Sequence, residues 1–146
     1  MRPFALVVVT MLALAACGGG HKSSSTTNAF NGYPRTQIIK SYETFFAGKT
    51  PVAKRVALLQ DGQRYKALVT SFANNPLAKN VNVKVSSVTV QGPNSAKVVY
   101  TVKLGSAGLP KQTGTAVRQN GVWKVGDASL CKLVALQGST PSVCKS

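Results

Sequence analysis

Apolar side chains recur at helical spacing over the first half of the folded chain, and this spacing predicts three amphipathic helices. The first covers residues 36–47 and ends before Gly48. The second begins at Thr50-Pro51, which has the form of an N-cap residue followed by proline in the first helical turn. The third runs from Tyr65 and stops at Asn74-Asn75-Pro76, because a residue before proline disfavours helical backbone. Their apolar stripes consist of Ile38, Ile39, Tyr42, Phe45 and Phe46, of Val52, Val56 and Leu59, and of Tyr65, Leu68, Val69 and Phe72.

The pattern then changes to a strict alternation of apolar and polar residues, which predicts β-strands. Valines alternate with polar residues over 81–90. Their phase slips by one residue at Ser86-Ser87, so a bulge or bend is expected there. A second alternating segment covers 96–104 and follows a Gly92-Pro93-Asn94 turn. The two segments are therefore expected to pair as neighbouring antiparallel strands.

Two further strands, 113–119 and 122–126, are separated only by Asn120-Gly121. Asn-Gly between two strands is the strongest short-range signal for a β-hairpin. A two-residue loop places Arg118 opposite Trp123, so the register of this hairpin can be predicted residue by residue.

After the hairpin, Asp127 is placed to cap a short helix over residues 128–136. The order of the elements is therefore three helices, four strands and one helix. Helices collected ahead of an antiparallel meander are typical of the α+β class. We expect N-terminal helices packed on a curved, cone-like, four-stranded antiparallel sheet, with a short C-terminal helix.

Residues 1–16 have the features of an export signal. Arg2 precedes an uncharged apolar stretch over 4–14, which is shorter than the roughly 20 residues of a permanent membrane span. Leu14-Ala15-Ala16-Cys17 then has the form of a lipobox. The sequence predicts a lipoprotein held by a lipid on Cys17 at the extracytoplasmic face of the cell membrane. The alternative is an ordinary signal peptide cut near Ala15 or Ala16.

Residues 17–35 are predicted to form the lipidated cysteine and a flexible tether rich in Gly, Ser and Thr. A flexible segment of this length has a root-mean-square reach of roughly 20–24 Å. His21 lies in this segment without a neighbouring ligand, so neither a metal nor a catalytic role is expected for it. Residues 36–146 are predicted to form a single domain.

The chain has three cysteines, which is an odd number for an exported protein. If Cys17 carries the lipid, Cys131 and Cys144 remain, and two such thiols usually oxidise to a disulfide outside the cytoplasm. Closing that loop would contribute about 3 kcal/mol to stability. A metal site is the alternative, but two cysteines without a nearby histidine provide too few ligands. We therefore expect no metal and no other cofactor.

The chain carries 18 Lys and Arg against three Asp and Glu, a net charge of +15. Loss of Arg2 with the signal leaves 17 against three, or +14. Such a surface attracts anionic partners, which for an exported protein are phospholipid headgroups and cell-wall polymers. Nucleic acid fits poorly, because aromatic residues are not interleaved with the basic ones. The lysines expected on the solvent side of the sheet are Lys84, Lys97, Lys103 and Lys124. They form either a positive binding panel or a solvated face that only keeps the sheet soluble.

With only three acidic residues, the chain has few candidate groups for acid–base catalysis. Asp61 precedes Gly62 at a helix end, and Asp127 is expected to cap the last helix. Glu43 lies at the border of the first apolar stripe and is the only one that could turn inward. No Gly-rich phosphate loop precedes a helix. We therefore expect no enzymatic activity; an isomerase or hydratase would need Glu43 or a tyrosine deep in a pocket.

Large aromatic side chains are expected in the wedge between the sheet and the helices. They either fill it as core or line a pocket for a small apolar ligand. These residues are Tyr42, Phe46, Tyr65, Phe72, Tyr100 and Trp123.

Three stretches together resemble a known family. They are Lys-Arg-Val-Ala-Leu-Leu-Gln-Asp-Gly over 54–62, the strand pair around 83–90 and 96–102, and Gly-Val-Trp-Lys-Val over 121–125 ahead of a short Leu-rich segment. Over residues 36–136 they resemble the C-terminal domain of the actinobacterial low-molecular-weight secreted antigens. The resemblance implies a fold similar to the nuclear-transport-factor-2-like or cystatin-like group, a bent sheet closed by helices. It also implies an envelope-associated or secreted protein, and it supplies no catalytic residues.

These observations together predict a non-enzymatic envelope lipoprotein that binds or lies against anionic lipid or cell-wall polymer. A carrier or sensor of a small apolar ligand is the alternative. The chain departs from this family in its lipobox and in the Cys131/Cys144 pair. We therefore do not expect it to be freely released.

Overall fold

The computed structural model describes residues 24–145, and it describes side chains from Tyr33 onward. The signal predicted over 1–16, the predicted lipidation at Cys17, and His21 lie outside the described residues. Within that part of the chain, α-helices precede and follow an antiparallel sheet. In chain order the elements are α1 (Ser24–Phe46), α2 (Val52–Leu58), α3 (Lys66–Asn74), β1 (Val81–Val90), β2 (Ser95–Leu104), β3 (Ala107–Gly108), β4 (Gln112–Gln119), β5 (Val122–Val125) and α4 (Asp127–Ala135).

The sheet is antiparallel and curled, which confirms the predicted α+β class. Its strands lie in the order β1-β2-β4-β5, and β3 is a two-residue addition that pairs with the end of β2 and was not predicted. Arg118 lies opposite Trp123, as the Asn-Gly turn predicts. The register of β1 against β2 shifts between Val85 and Ser87, which confirms the predicted bulge. The local pattern was therefore sufficient to predict the sheet and its register.

The start of α1 differs from the prediction. The helix begins at Ser24 rather than at residue 36, so it extends into the segment predicted as a flexible tether and includes Pro34. Tyr33 is exposed, whereas Ile38 is fully buried. Extending an existing helix adds one hydrogen bond for each residue ordered, while starting a new helix is costly. The packed part of α1 can therefore support an N-terminal extension that has no apolar stripe of its own.

The core lies between the concave face of the sheet and the helices. α1 contacts both β1 and β5, so it spans the sheet from its first strand to its last. α2 and α3 pack against each other, and α2 also packs against α1. The largest fully buried side chains are Arg55, Tyr42, Tyr100, Phe45, Phe46, Ile38, Leu59 and Leu130.

Two helix caps differ from those predicted. The N-cap of α2 is Pro51 rather than Thr50, and the Thr50 hydroxyl instead donates a hydrogen bond of 2.6 Å to the carbonyl oxygen of Thr44. Asp127 is the first residue of α4 and not its N-cap. The Asp127 carboxylate accepts hydrogen bonds from the Ala128 N–H at 2.7 Å and from the Tyr65 hydroxyl at 2.7 Å. At both helices the residue predicted as the cap instead bonds to another group: Thr50 to Thr44, and Asp127 to Tyr65 and Ala128.

Backbone groups of β4 and β5 that have no partner on a neighbouring strand form hydrogen bonds with groups outside the sheet. The Gly126 N–H donates to the Thr115 carbonyl at 2.8 Å, and the Ser129 hydroxyl accepts from the Thr115 N–H at 2.9 Å. On β5, the Ser41 hydroxyl donates to the Trp123 carbonyl at 2.8 Å. These bonds satisfy strand-edge groups that would otherwise be left unpaired beside the core.

Candidate binding surfaces

The predicted aromatic residues of the wedge lie in the core. The rings of Tyr42 and Tyr100 are 5.3 Å apart, and Phe46 stacks on Tyr100 at 5.9 Å. Such distances are those of packed aromatic pairs. The structure thus fills most of the wedge with side chains. All six predicted residues, Tyr42, Phe46, Tyr65, Phe72, Tyr100 and Trp123, are buried.

Two neighbouring tyrosines differ in their hydrogen bonding. The Tyr42 hydroxyl donates to the Thr115 carbonyl and lies 2.9 Å from the Ser129 hydroxyl. Burial raises the pKa of Tyr42, and the hydrogen bond with Ser129 offsets part of that rise. The Tyr100 hydroxyl has no hydrogen-bond partner among the described residues, and burial raises the pKa of Tyr100 to about 12. Both phenols therefore stay neutral at physiological pH.

The contact between Tyr42 and Ser129 depends on a glycine that the sequence reasoning missed. A Cβ atom at Gly114 would lie 2.5 Å from the Ser129 hydroxyl oxygen and 2.8 Å from the Tyr42 hydroxyl oxygen. Glycine within a strand often marks such a close approach. Gly114 lies within the strand predicted over 113–119, so a close approach could be expected there. The sequence could not identify Tyr42 and Ser129 as the groups that approach it.

A small apolar pocket remains at one side of the filled wedge, between the sheet, α3 and the end of α4. Its volume is about 170 Å³. Cavities of about 150 Å³ lined by aliphatic and aromatic groups accept molecules the size of benzene. The lining residues are Phe46, Phe72, Val81, Val102, Leu104, Leu109, Leu133, Leu136 and Gln137. Of the predicted pocket residues, only Phe46 and Phe72 line this space.

Arg55 is fully buried, and the sequence analysis gave it no role. Its Nη2 donates to the Ala47 carbonyl at 2.8 Å, and its Nε donates to the Thr50 carbonyl at 2.9 Å. The guanidinium also lies over the Phe72 ring, 5.3 Å from the ring centroid. Burial lowers the pKa of Arg55. The side chain thus binds carbonyl groups just beyond α1, where the helix dipole favours a cation. The position of Arg55 three residues after Val52, on the apolar stripe, was the available signal.

The predicted lysines lie on the convex side of the sheet, opposite the buried valines and Tyr100. We call Lys84, Lys97, Lys103 and Lys124 the basic face. The strand register places Lys84 beside Thr101 and Lys97 between Thr89 and Thr115. Lys84, Lys97 and Lys103 are exposed, and Lys124 is half-buried. The alternation of the strands therefore brings these side chains to one surface.

The three acidic residues are engaged in contacts within the fold. Glu43 pairs with Lys84 at 3.1 Å and accepts a hydrogen bond of 3.3 Å from the Val85 N–H, beside the bulge. Asp61 accepts a bond of 2.6 Å from the Gln119 side chain, and Asp127 accepts one from Tyr65. Glu43 thus contacts β1 and does not enter the wedge, where a catalytic carboxylate would be needed.

Cys131 and Cys144 form a disulfide, as predicted, with Cα atoms 5.6 Å apart. The bond ties the C-terminal segment to α4. Within residues 24–145, no group of three His, Cys, Asp or Glu side chains is arranged to hold a metal ion. In the same part of the chain, no helix combines the length and the apolar character that crossing a bilayer requires.

A curled antiparallel sheet closed by helices, with a filled interior and a basic outer face, defines a small cone-like α+β domain. Residues 34–141, more than half of the chain, match the family described as low molecular weight antigen MTB12, C-terminal domain. The chain therefore belongs to this family of secreted antigens, which confirms the resemblance seen in the sequence. A comparison with curated proteins gave no match.

Proposed function

We propose that this protein is a non-enzymatic envelope lipoprotein whose basic face lies against anionic lipid or cell-wall polymer. The observation that carries the proposal is the arrangement of charge. Four lysines share the convex side of the sheet; Glu43 pairs with Lys84, and Asp61 lines the same pocket as Lys124, whereas Lys97 and Lys103 form no ion pair among the described residues. The basic face therefore has an excess of positive charge that the fold itself does not neutralise.

The neighbours of the lysines support contact with an extended anionic surface. Lys97 has Thr89 and Thr115 opposite it on the two neighbouring strands. Hydroxyl groups beside ammonium groups can donate to phosphate or carboxylate oxygens. Each lysine near an anionic membrane contributes about 1 kcal/mol to binding. Several lysines on one surface would thus give reversible, salt-sensitive association.

The anchor is the second part of the proposal. The lipobox ending at Cys17 would hold the chain at the membrane, and the basic face would then act at high local concentration. The lipid that a lipobox cysteine takes is a diacylglyceryl group, whose two acyl chains give stable attachment by themselves. The lipid would therefore hold the chain at the membrane, and the basic face would set how the domain lies against it.

Vesicle binding tests the role of the basic face. The chain from Gly18 onward should bind phosphatidylglycerol vesicles at 50 mM salt, about 100-fold more tightly than the variant with Lys84→Gln, Lys97→Gln and Lys103→Gln. The matched control carries Lys49→Gln, Lys66→Gln and Lys145→Gln, which remove the same charge from other exposed positions. Equal weakening of both variants, or equal binding to neutral phosphatidylcholine vesicles, would contradict the proposal.

Detergent partitioning tests the anchor. The full chain should enter the detergent phase, and a Cys17→Ala variant should enter the aqueous phase. A Cys17→Ala variant that still partitions into detergent would refute the lipid anchor.

A second candidate function, carriage of a small apolar ligand, is supported by the pocket of about 170 Å³ beside Phe46 and Phe72. Native mass spectrometry of the purified chain would then show a bound apolar compound. A Leu109→Trp variant should lose it, because the larger side chain would fill the pocket. If the compound is absent, or if it is retained in the variant, this function is rejected.

A further inference from the structure

A second cleft, lined by none of the basic-face lysines and by no residue of the apolar pocket, lies where α1, α2 and β5 meet. Its volume is about 180 Å³. Lys40 and Thr44 line it from α1, Lys54 and Leu58 from α2, and Val122 and Trp123 from β5. Gln37 and Ser41 of α1 also line it, so the cleft combines two cations, two hydroxyl residues and an amide with three apolar residues.

The two lysines of this cleft lack a neutralising carboxylate. None of the lining residues is acidic. Glu43 follows Lys40 by three residues on α1, but its carboxylate contacts β1, where it binds Lys84 and the Val85 N–H. Two ammonium groups that share a cleft repel each other, and an anion bound between them removes that repulsion.

The walls of the cleft are fixed by buried hydrogen bonds. Ser41 donates to the Trp123 carbonyl at 2.8 Å, which holds α1 against β5. Arg55, adjacent to Lys54, donates to the Ala47 carbonyl at 2.8 Å, which holds α2 against the end of α1. A site whose walls are already held in place loses less conformational entropy when a ligand binds.

We infer that this cleft binds a small organic anion with a short apolar group. The carboxylate or phosphate lies between Lys40 and Lys54, and the apolar group contacts Leu58, Val122 and Trp123. The volume accommodates an anionic head and about four to six carbon atoms, by comparison with cavities that hold benzene. The ligand is therefore an amphiphile much smaller than a membrane lipid.

Trp123 is the only tryptophan of the chain, so tryptophan emission comes from one residue that borders this cleft and is also packed in the core. Titration of the full chain with hexyl phosphate or hexanoate, each below its micelle concentration, should give a saturable change in emission. Inorganic phosphate and hexanol should each bind more weakly, because each supplies only half of the required contacts. Calorimetric titration provides a second measurement that does not depend on emission.

The Lys40→Gln and Lys54→Gln double variant should bind hexyl phosphate about tenfold more weakly, since hydrogen bonds to charged groups are lost. The matched control, Lys49→Gln with Lys145→Gln, removes the same charge from exposed positions outside this cleft and outside the basic face, and should bind as the unmodified chain does. The inference is overturned if neither measurement detects saturable binding. It is also overturned if the two double variants bind equally, or if hexanol binds as tightly as hexyl phosphate.

Discussion

The concave and convex faces of the sheet are built by the same strands, but their side chains differ in burial and in the number of contacts they form within the fold. On β2, Val98 and Tyr100 are fully buried under the helices, while Lys97 and Lys103 of the same strand face solvent. On the concave face, aromatic rings pack against one another, and buried side chains form hydrogen bonds with each other. The convex face carries lysines with one acidic partner, Glu43. Substitutions on the concave face should therefore change the free energy of unfolding, and those on the convex face should change binding.

The largest expected effect is at the closest approach on the concave side. Gly114→Ala should lower the free energy of unfolding by about 3 kcal/mol, because its Cβ would lie 2.5 Å from the Ser129 hydroxyl oxygen. Gly92→Ala is the matched control, since no atom lies within 4 Å of its added Cβ. Urea denaturation measures both. A Gly114→Ala chain as stable as the Gly92→Ala chain would show that the close approach at Gly114 does not constrain the concave face.

Alkaline pH should weaken the concave face selectively. Burial raises the pKa of Tyr100 to about 12, so above pH 10 the unfolded chain loses a proton that the folded chain keeps. This contribution is present in full below pH 10 and is lost as the pH rises toward 12. The expected loss is about 2 kcal/mol. Denaturation at pH 9, 10 and 11.5 measures it, and a Tyr100→Phe chain with the same pH dependence would contradict this assignment.

Tyr42→Phe should cost about 1.5 kcal/mol, because it removes a buried hydroxyl that bonds to Thr115 and Ser129. The cost stays at the lower end of the range for a buried hydrogen bond, since Gly126 still donates to the Thr115 carbonyl. Thermal and urea unfolding measure the change. An unchanged stability would mean that the hydroxyl contributes nothing to closing the core.

Tyr100→Phe should have the opposite sign. Its hydroxyl is buried without a partner in the described structure, so its removal should raise stability by about 1 kcal/mol. The measurement is the same as for Tyr42→Phe, and the two variants control each other for loss of one oxygen atom. A loss as large as that of Tyr42→Phe would mean that the Tyr100 hydroxyl is stabilised in a way this arrangement does not explain.

The smallest effect on stability is expected on the convex face. Lys97→Gln should change the free energy of unfolding by less than about 0.5 kcal/mol, because the side chain is exposed and pairs with no acid. A larger loss would mean that this lysine supports the fold. The difference between the two faces would then disappear.

The sequence predicted the sheet and its hairpin register because both depend on local signals. Alternation assigned the strands, and the Asn120-Gly121 turn set Arg118 opposite Trp123. The disulfide could also be predicted, because setting Cys17 aside as the predicted lipidation site leaves two cysteines. Other features depended on distant partners. Thr50 bonds to Thr44 rather than capping α2, and α1 extends on the N-terminal side of residue 36, ahead of the buried Ile38.

By itself, the sequence determined the order of elements, the two faces of each strand and the excess of positive charge, because periodicity and composition act along the chain. Only the tertiary structure decided what the interior contains. It packed Tyr42 against Thr115 and Ser129, buried Arg55 at the C-terminal end of α1 and turned Glu43 toward Lys84. It also brought Lys40 and Lys54 to one cleft beside Trp123. These arrangements depend on which side chains meet across many residues of sequence, and no local pattern encodes such meetings.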